Sequence, residues 1–349
     1  MKNLKTLSLM MLLFLSSVAS ANSRFPFGYK MELLNHTFSN WGITNTNSSS
    51  INLSGAWKNF EKKKDVVIAV IDTGIDYNHP HLRDNIHVIN GKVSESNYGV
   101  DFSMSKPSLT PADSHGHGTH VAGIIKSVFP EAKLLILKYY NPQASGQANL
   151  NSTIRALEFA VDQTVDMINY SGGGPEPSLE ELRILRKAEE KGILVVAAAG
   201  NEKSNIDDKK YAYYPASYGL DNIISVNAHD EDVNVIASSN WGKLSVDVAA
   251  PGLRIISSIP GGKAAAMTGT SQATAFVTGV AALIKANYPE LSYEQIKNSI
   301  IASSVKVKSL EDKTLAGGKV DATMALAMAA RVNELSKEEK KGRALAKKK

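Results

Sequence analysis

Six apolar residues stand in a row between two aspartates in Asp65–Asp72 (DVVIAVID). A strand with one wet face alternates apolar and polar residues. An unbroken run needs both faces covered, which is the habit of parallel sheets sandwiched between helices. Similar runs recur at 134–140 (LLILKYY), 167–170 (MINY), 193–199 (ILVVAAA) and 222–226 (NIISV). Amphipathic stretches lie between them: 151–163, with Ile154, Leu157 and Val161 on one face, and 178–191, with Leu179, Leu182, Leu185 and Ala188. Asn151 and Ser178 are capping residue types at their starts, and Gly192 stands where a helix C-terminus favours glycine. Strand–helix–strand at this spacing predicts right-handed βαβ units. The expected fold is α/β, three-layer, a mostly parallel sheet with helices on both faces, over about residues 51–332.

The chain has 349 residues and no cysteine, which excludes disulfides, thiolate metal sites and a thiol nucleophile. Its formal net charge of +5 sits at the ends, in Lys2 and Lys5 and in the lysines and arginine of 337–349. The body between them is slightly acidic, so the charge gives no reason to expect a nucleic-acid partner. Residues 1–21 read as a signal peptide: Lys2 and Lys5, an apolar stretch over Leu7–Val18, then Ala19-Ser20-Ala21 as cleavage site. The expectation is an exported protein, secreted or periplasmic, a monomer with no stable membrane insertion once the leader is cut. Residues 22–50 read as an N-terminal extension or short pro-segment, with a mobile loop at 45–50. Residues 333–349 read as a basic tail in a solvated, fraying helix.

Chemistry concentrates at strand ends and helix starts, where open α/β sheets build their sites. Asp72 closes the first apolar run, in IDTGID. Three histidines open an apparent helix in HGHGTHVAG (115–123). Ser271 follows Gly269-Thr270 into a helical stretch, 272–286. Each alone has an ordinary explanation, as turn, cap or packing residue. Together they supply a hydroxyl nucleophile, an imidazole to take its proton and a carboxylate to fix that imidazole. Asn201, after the run 193–199 and Gly200, adds an amide donor for a developing oxyanion. A zinc site on His115, His117 and His120 is disfavoured, because the H-E-x-x-H order and cysteine are both absent.

These blocks resemble the subtilisin-like serine proteases, and the similarity runs from about Val66 to Pro289. It includes MINYSGGGP (167–175), VVAAAGNE (195–202), YYPASY (213–218) and SVDVAAPG (245–252). The resemblance implies a serine endopeptidase working through an acyl-enzyme on peptide or protein substrates. It assigns Asp72, His117 and Ser271 as catalytic, and Asn201 with the Ser271 N–H as oxyanion hole. His120 becomes structural, His115 a cleft-rim residue and Asp76 a support. Substrate would lie extended between Ser171-Gly172-Gly173 and Ser145-Gly146-Gln147, pairing as an added strand. Glu202 would tolerate a basic residue at the cleaved position, and Tyr213 would make that pocket shallower.

The chain departs from the pattern in three places. Ala275 stands where the family usually has proline, four residues after the serine, and alanine supports the helix there. No segment is long enough for a separately folded propeptide. Calcium is the third: many relatives hold a tight ion, but here no insertion follows His120-Val121-Ala122-Gly123, and His81 replaces the aspartate after His79-Pro80. Hard cations want oxygen ligands, so no tight calcium is expected there, and no cofactor; Asp207 and Asp208 stay open as a weaker site. Two rival readings remain: a catalytically idle peptide-binding protein on this fold, which the intact set of residues opposes, and an esterase, whose G-x-S-x-G elbow is absent.

Overall fold

The run at 66–71 is continuous because its residues feed two cores in turn. Ile68 and Val70 point into one apolar cluster, Ala69 and Ile71 into another. Leu134 and Ile136 against Leu135 and Leu137 do the same, as do Leu194 and Val196 against Val195 and Ala197.

The computed structural model describes residues 31–33, 36–38, 40–44, 47–89 and 97–346. The leader expected over 1–21 and the last three lysines of the tail lie outside these residues. In chain order come a short hairpin, β1 (Met31–Leu33) and β2 (His36–Phe38), then α1 (Leu53–Lys58), β3 (Val67–Asp72), β4 (Gly99–Asp101), α2 (His117–Val128) and β5 (Lys133–Lys138). Next are α3 (Gly146–Asp162), β6 (Met167–Tyr170), α4 (Leu179–Glu190), β7 (Leu194–Ala198), β8 (Ile223–His229) and β9 (Val248–Pro251). The chain ends with the hairpin β10 (Ile255–Ile259) and β11 (Lys263–Met267), then α5 (Thr270–Asn287), α6 (Tyr293–Ala302), β12 (Val305–Lys306), β13 (Gly318–Lys319) and α7 (Ala322–Ala346).

The main sheet has nine strands in the order β12-β13-β9-β8-β7-β6-β3-β5-β4. Every neighbouring pair is parallel except β12–β13. One face carries the cluster shared with α2, α5 and α7, the other the cluster shared with α3 and α4, so the fold is the expected three-layer α/β arrangement. From β3 the chain steps to β5 on one side and then returns to β6 on the other. That reversal opens a crevice at the carboxyl ends of β3 and β6, the place where such sheets bind ligands. Asp72 is the last residue of β3, and Ser171 directly follows β6.

Two local expectations change. Helix α3 begins at Gly146 rather than at 151, because the Ser145 hydroxyl caps it by accepting the Ala148 N–H at 3.2 Å. Residues 40–44 and 47–50, expected within an N-terminal extension or short pro-segment, are tied to the domain. The Trp41 indole donates to the Leu253 carbonyl at 2.9 Å, and Lys319 Nζ donates to the Ser50 carbonyl at 2.7 Å. Asn52 donates to the Asp321 carboxylate at 3.0 Å. Helix α6, which the strand-and-helix reading passed over, opens with a full capping box between Ser292 and Gln295.

Candidate active site

Helix α2 is held at its start by one carboxylate. Asp113 accepts the N–H groups of His115, Gly116 and Thr119 at 3.0, 2.7 and 2.9 Å, and the hydroxyls of Thr119 and Thr73 at 2.6 and 2.9 Å. Thr73 Oγ1 in turn accepts the Gly118 N–H at 2.9 Å, fastening the helix to the end of β3. The contact is so close that a methyl group on Gly118 would meet the Gly74 carbonyl oxygen at 2.2 Å. Asp113 escaped the sequence reading, although an Asp just ahead of a helix start is a capping signal. Those five donors hold its carboxyl below the usual range against the opposing effect of burial.

His117, the first residue of α2, thereby meets Asp72. Its Nδ1–H donates to Asp72 Oδ1 at 2.7 Å, and Oδ1 also accepts the Thr73 N–H at 2.7 Å. Asp72 is buried. Burial alone would lower the His117 pKa, but the charge and hydrogen bond of Asp72, with Asp113 behind, hold it above the usual imidazole value.

Ser271 is the second residue of α5, a helix buried at every position except Lys285. Its Oγ donates to the Ser171 carbonyl at 2.9 Å. Behind Ser171 runs a polar relay: Thr278 Oγ1 donates to Asn169 Oδ1 at 2.8 Å, and Asn169 Nδ2 donates to Ser171 Oγ at 2.9 Å. Asn201 lies beyond the end of β7, and its Oδ1 accepts the Thr270 N–H at 3.0 Å. That bond holds the amide by its oxygen at the start of α5, one residue before Ser271.

The other candidates separate. His120 Nε2–H is shared between the carbonyls of Ile255 and Ala265, at 3.0 and 3.1 Å, locking α2 to the β10–β11 hairpin. His115 packs its ring against His117 and Tyr140. Asp76 accepts the Asn78 and Gly261 N–H groups, a turn role. Among the described residues no group of three or more His, Asp or Glu is placed to hold a metal.

Of the two expected substrate walls, Ser171-Gly172-Gly173 continues from β6 as irregular backbone. The other differs from expectation: Gly146 and Gln147 are in the first turn of α3, and only Ser145, the cap, has extended backbone. It is a helix start, with the Ser145 hydroxyl accepting the Ala148 N–H, and not an extended strand edge. Tyr213 fills the space between the ends of β6 and β7. A methyl group on Gly173 would meet its ring at 2.5 Å, and one on Gly200 would meet it at 2.8 Å. Glu202 is tied back, accepting the Asn240 amide at 2.6 Å.

The calcium position resembles no hard-cation site. The His81 carbonyl accepts from Lys126 Nζ, so a cation of the chain already faces it. Burial, with Lys126 and His79 nearby, pushes the His81 imidazole down to about 3. Ammonium and neutral imidazole are not the oxygen set that calcium takes. Asp207 braces the turn at 244–245 by accepting the N–H groups of Leu244 and Ser245, and Asp208 caps the turn at Lys210.

A parallel α/β sheet that carries a serine at one helix start and a carboxylate-paired histidine at another has the parts of a serine hydrolase. The subtilase family pattern matches residues 63–325, and the chain belongs to that family. It is 40% identical over 261 residues to the intracellular serine protease of Paenibacillus polymyxa, covering 69% of this chain and 76% of that one. To the major intracellular serine protease of Bacillus subtilis (strain 168) it is 35% identical over 273 residues, covering 75% and 82%. To subtilisin Savinase of Lederbergia lenta it is 34% identical over 269 residues, covering 74% and 89%. The protein is a serine-type endopeptidase, with peptides or proteins as substrates.

The same relatives correct the expected location. Those from P. polymyxa and B. subtilis are named intracellular, which points away from secretion, and the expectation of a secreted or periplasmic protein is withdrawn. Its basis was the apolar stretch before residue 22, outside the described residues. The lack of cysteine does not favour either compartment, since a chain without disulfides is compatible with a reducing one as well. Among the described residues no helix is long and apolar enough to cross a membrane.

Proposed function

We propose that Ser271 is the nucleophile of this endopeptidase, His117 its general base and Asp72 the group that orients the base. Ser271 Oγ attacks the scissile carbonyl carbon while His117 Nε2 takes its proton. The tetrahedral oxyanion accepts from Asn201 Nδ2 and from the Ser271 N–H. His117 then gives its proton to the leaving amine, and a water that it deprotonates hydrolyses the ester, restoring Ser271.

The observation that carries this reading is the 2.7 Å bond from His117 Nδ1 to the buried Asp72. It leaves Nε2 as the free nitrogen and places the imidazolium beside a fixed negative charge. The Thr270–Asn201 bond supports the oxyanion role, since an amide held by its oxygen presents its donors without reorganising. The substrate's acyl side lies along Ser171-Gly172-Gly173, and Tyr213 closes the pocket for the residue whose carbonyl is attacked.

A fluorophosphonate probe tests the assignment. Ser271 is expected to be modified in the intact chain and unmodified in a His117→Ala chain. Folded, unmodified protein would favour a peptide-binding protein and remove the nucleophile.

A further inference from the structure

The residue after the proposed nucleophile carries a polar group with no part in the steps above. Gln272 is 1% exposed, and its Nε2 has no hydrogen-bond partner among the described residues. A buried donor left unpaired is costly, and such a group in a folded protein calls for an explanation. An apolar residue of similar volume would fill the same space on this helix without that cost.

The usual reason for a glutamine at this place is a capping box, in which the third helical residue reaches back to the N–H of the residue before the helix. That reason fails here. Gly269 is the residue before α5, and its N–H donates to the Gly252 carbonyl at 2.9 Å. The Thr270 N–H is likewise taken, by Asn201 Oδ1. Gln272 nevertheless folds back toward the helix start. A methyl group on Gly269 would meet Gln272 Oε1 at 3.3 Å, Asn201 Oδ1 at 3.3 Å and Asn201 Nδ2 at 3.6 Å. The two side-chain amides therefore border the same side of Gly269, two residues before Ser271.

We propose that Gln272 is a second side-chain donor to the oxyanion, acting beside Asn201. The proposal rests on Ser271 as nucleophile and Asn201 as oxyanion donor. A glutamine amide turns about its last bond in a broad, roughly two-fold well, so Nε2 can take the place that Oε1 holds. When the carbonyl carbon is attacked, negative charge develops beside Asn201, and a half-turn gives Gln272 Nε2 the partner it lacks. The interaction exists only when the charge does, so it lowers the barrier and leaves substrate affinity alone.

The test compares Gln272→Met, which keeps the volume and drops the amide, with Gln272→Glu, which sets a carboxylate beside the developing charge. Gln272→Met is expected to lower kcat by about 10–10²-fold with KM little changed, the worth of one hydrogen bond to a charged oxygen. Gln272→Glu is expected to lose more. Combined with Asn201→Ala, the loss should fall short of the product of the two single losses, because both donors serve one oxygen. A peptide aldehyde reads the oxyanion directly: the Ser271 oxygen bonds to the aldehyde carbon, its proton passes to His117, and the former carbonyl oxygen takes the charge. Its affinity is expected to fall in Gln272→Met by the same factor as kcat. An uncleaved peptide should bind Ser271→Ala and the Ser271→Ala/Gln272→Met chain equally. Thermal unfolding is followed for each variant, and Gln272→Leu replaces Gln272→Met if that chain does not fold. Equal aldehyde affinity with and without the amide, or a matching fall for the uncleaved peptide, would overturn the donor role. Failure of the nucleophile assignment looks different: the unaltered chain itself forms no adduct, and the proposal falls with it.

Discussion

The hydroxyl of Ser271 donates to the main-chain carbonyl of Ser171, 100 positions earlier in the chain, at 2.9 Å. The bond joins the start of α5 to the end of β6 across the crevice where the strand order reverses. It engages the hydroxyl proton of the proposed nucleophile. Bond patterns at such sites commonly tighten only when substrate arrives. A peptide pairing with Ser171-Gly172-Gly173 would compete for that carbonyl and release the hydroxyl toward His117.

The amide of Asn201 has a measurable share in the reaction. Asn201→Ala is expected to lower kcat about 10²–10³-fold with KM little changed, the range known for removal of one such donor from subtilisin. Steady-state kinetics on one peptide substrate suffice, and an unaltered kcat would strike Asn201 from the oxyanion hole.

The acid limb of kcat/KM follows His117. The base must be neutral to take a proton, and Asp72 and, further off, Asp113 hold the His117 pKa above the usual imidazole value despite burial. Activity is therefore expected to rise with pH through a midpoint above 6.5 and to be lost below it. Asp72→Asn should move the midpoint toward acid and lower kcat by about 10⁴-fold, as in other serine proteases. A midpoint unmoved in that variant would exclude His117 as the titrating base.

Tyr213, whose ring lies against Gly173 and Gly200, is expected to set the depth of the pocket at the cleaved residue. Peptides with Gly, Ala or Ser there are expected to be cut faster than those with Phe or Leu. Tyr213→Gly should raise kcat/KM for the Phe and Leu peptides by at least about ten-fold, since small volume differences in a pocket are worth that much. A profile identical in both chains would place the pocket elsewhere.

Acid stability depends on three buried histidines. Burial pushes His81 down to about 3, and His120 and His229 to about 4. The unfolded chain binds protons at these residues near 6.5, so between 6.5 and 4 it holds protons that the folded chain does not. Stability therefore rises with pH across that window, with a slope approaching about 4 kcal/mol per pH unit for three full protons. Urea midpoints on the Ser271→Ala chain, which avoids self-digestion, give the slope directly. A flat profile from pH 6.5 to 5 would mean that the three rings are hydrated.

Chelation is expected to leave the melting temperature unchanged. A ligand bound only to the folded state stabilises it by RT ln(1 + [L]/Kd), and Lys126 against the His81 carbonyl leaves calcium no place at that position. A fall of many degrees in EDTA, reversed by calcium and retained in an Asp207/Asp208 double variant, would contradict this.

Sequence carried the sheet well, because a strand buried on both faces cannot alternate and so announces itself. The residues proposed for the site, Asp72, His117, Ser271 and Asn201, stood out in the sequence because each lies at or just beyond a strand end or at a helix start. Asp113 offered only the weak signal of an Asp ahead of a helix start, since its bonds reach Thr73, His115, Gly116 and Thr119, which the packed chain brings together. The wall at 145–147 was misjudged for a related reason: a serine followed by glycine suits an extended edge and a capped helix equally, and one bond to Ala148 decides. Lys126 lies 45 positions from His81, a pairing that only the packed chain reveals.

Helix α5 fills the centre of one core and carries Ser271 near its first turn, late in the chain. A polypeptide still emerging from the ribosome, or cut short before residue 270, would hold the paired aspartate and histidine but no attacking hydroxyl. Even a full-length chain would lack a working arrangement until that apolar helix docked. The proposed site would then be complete only once that helix has been made and packed, so unfinished copies of the chain are expected to be inactive.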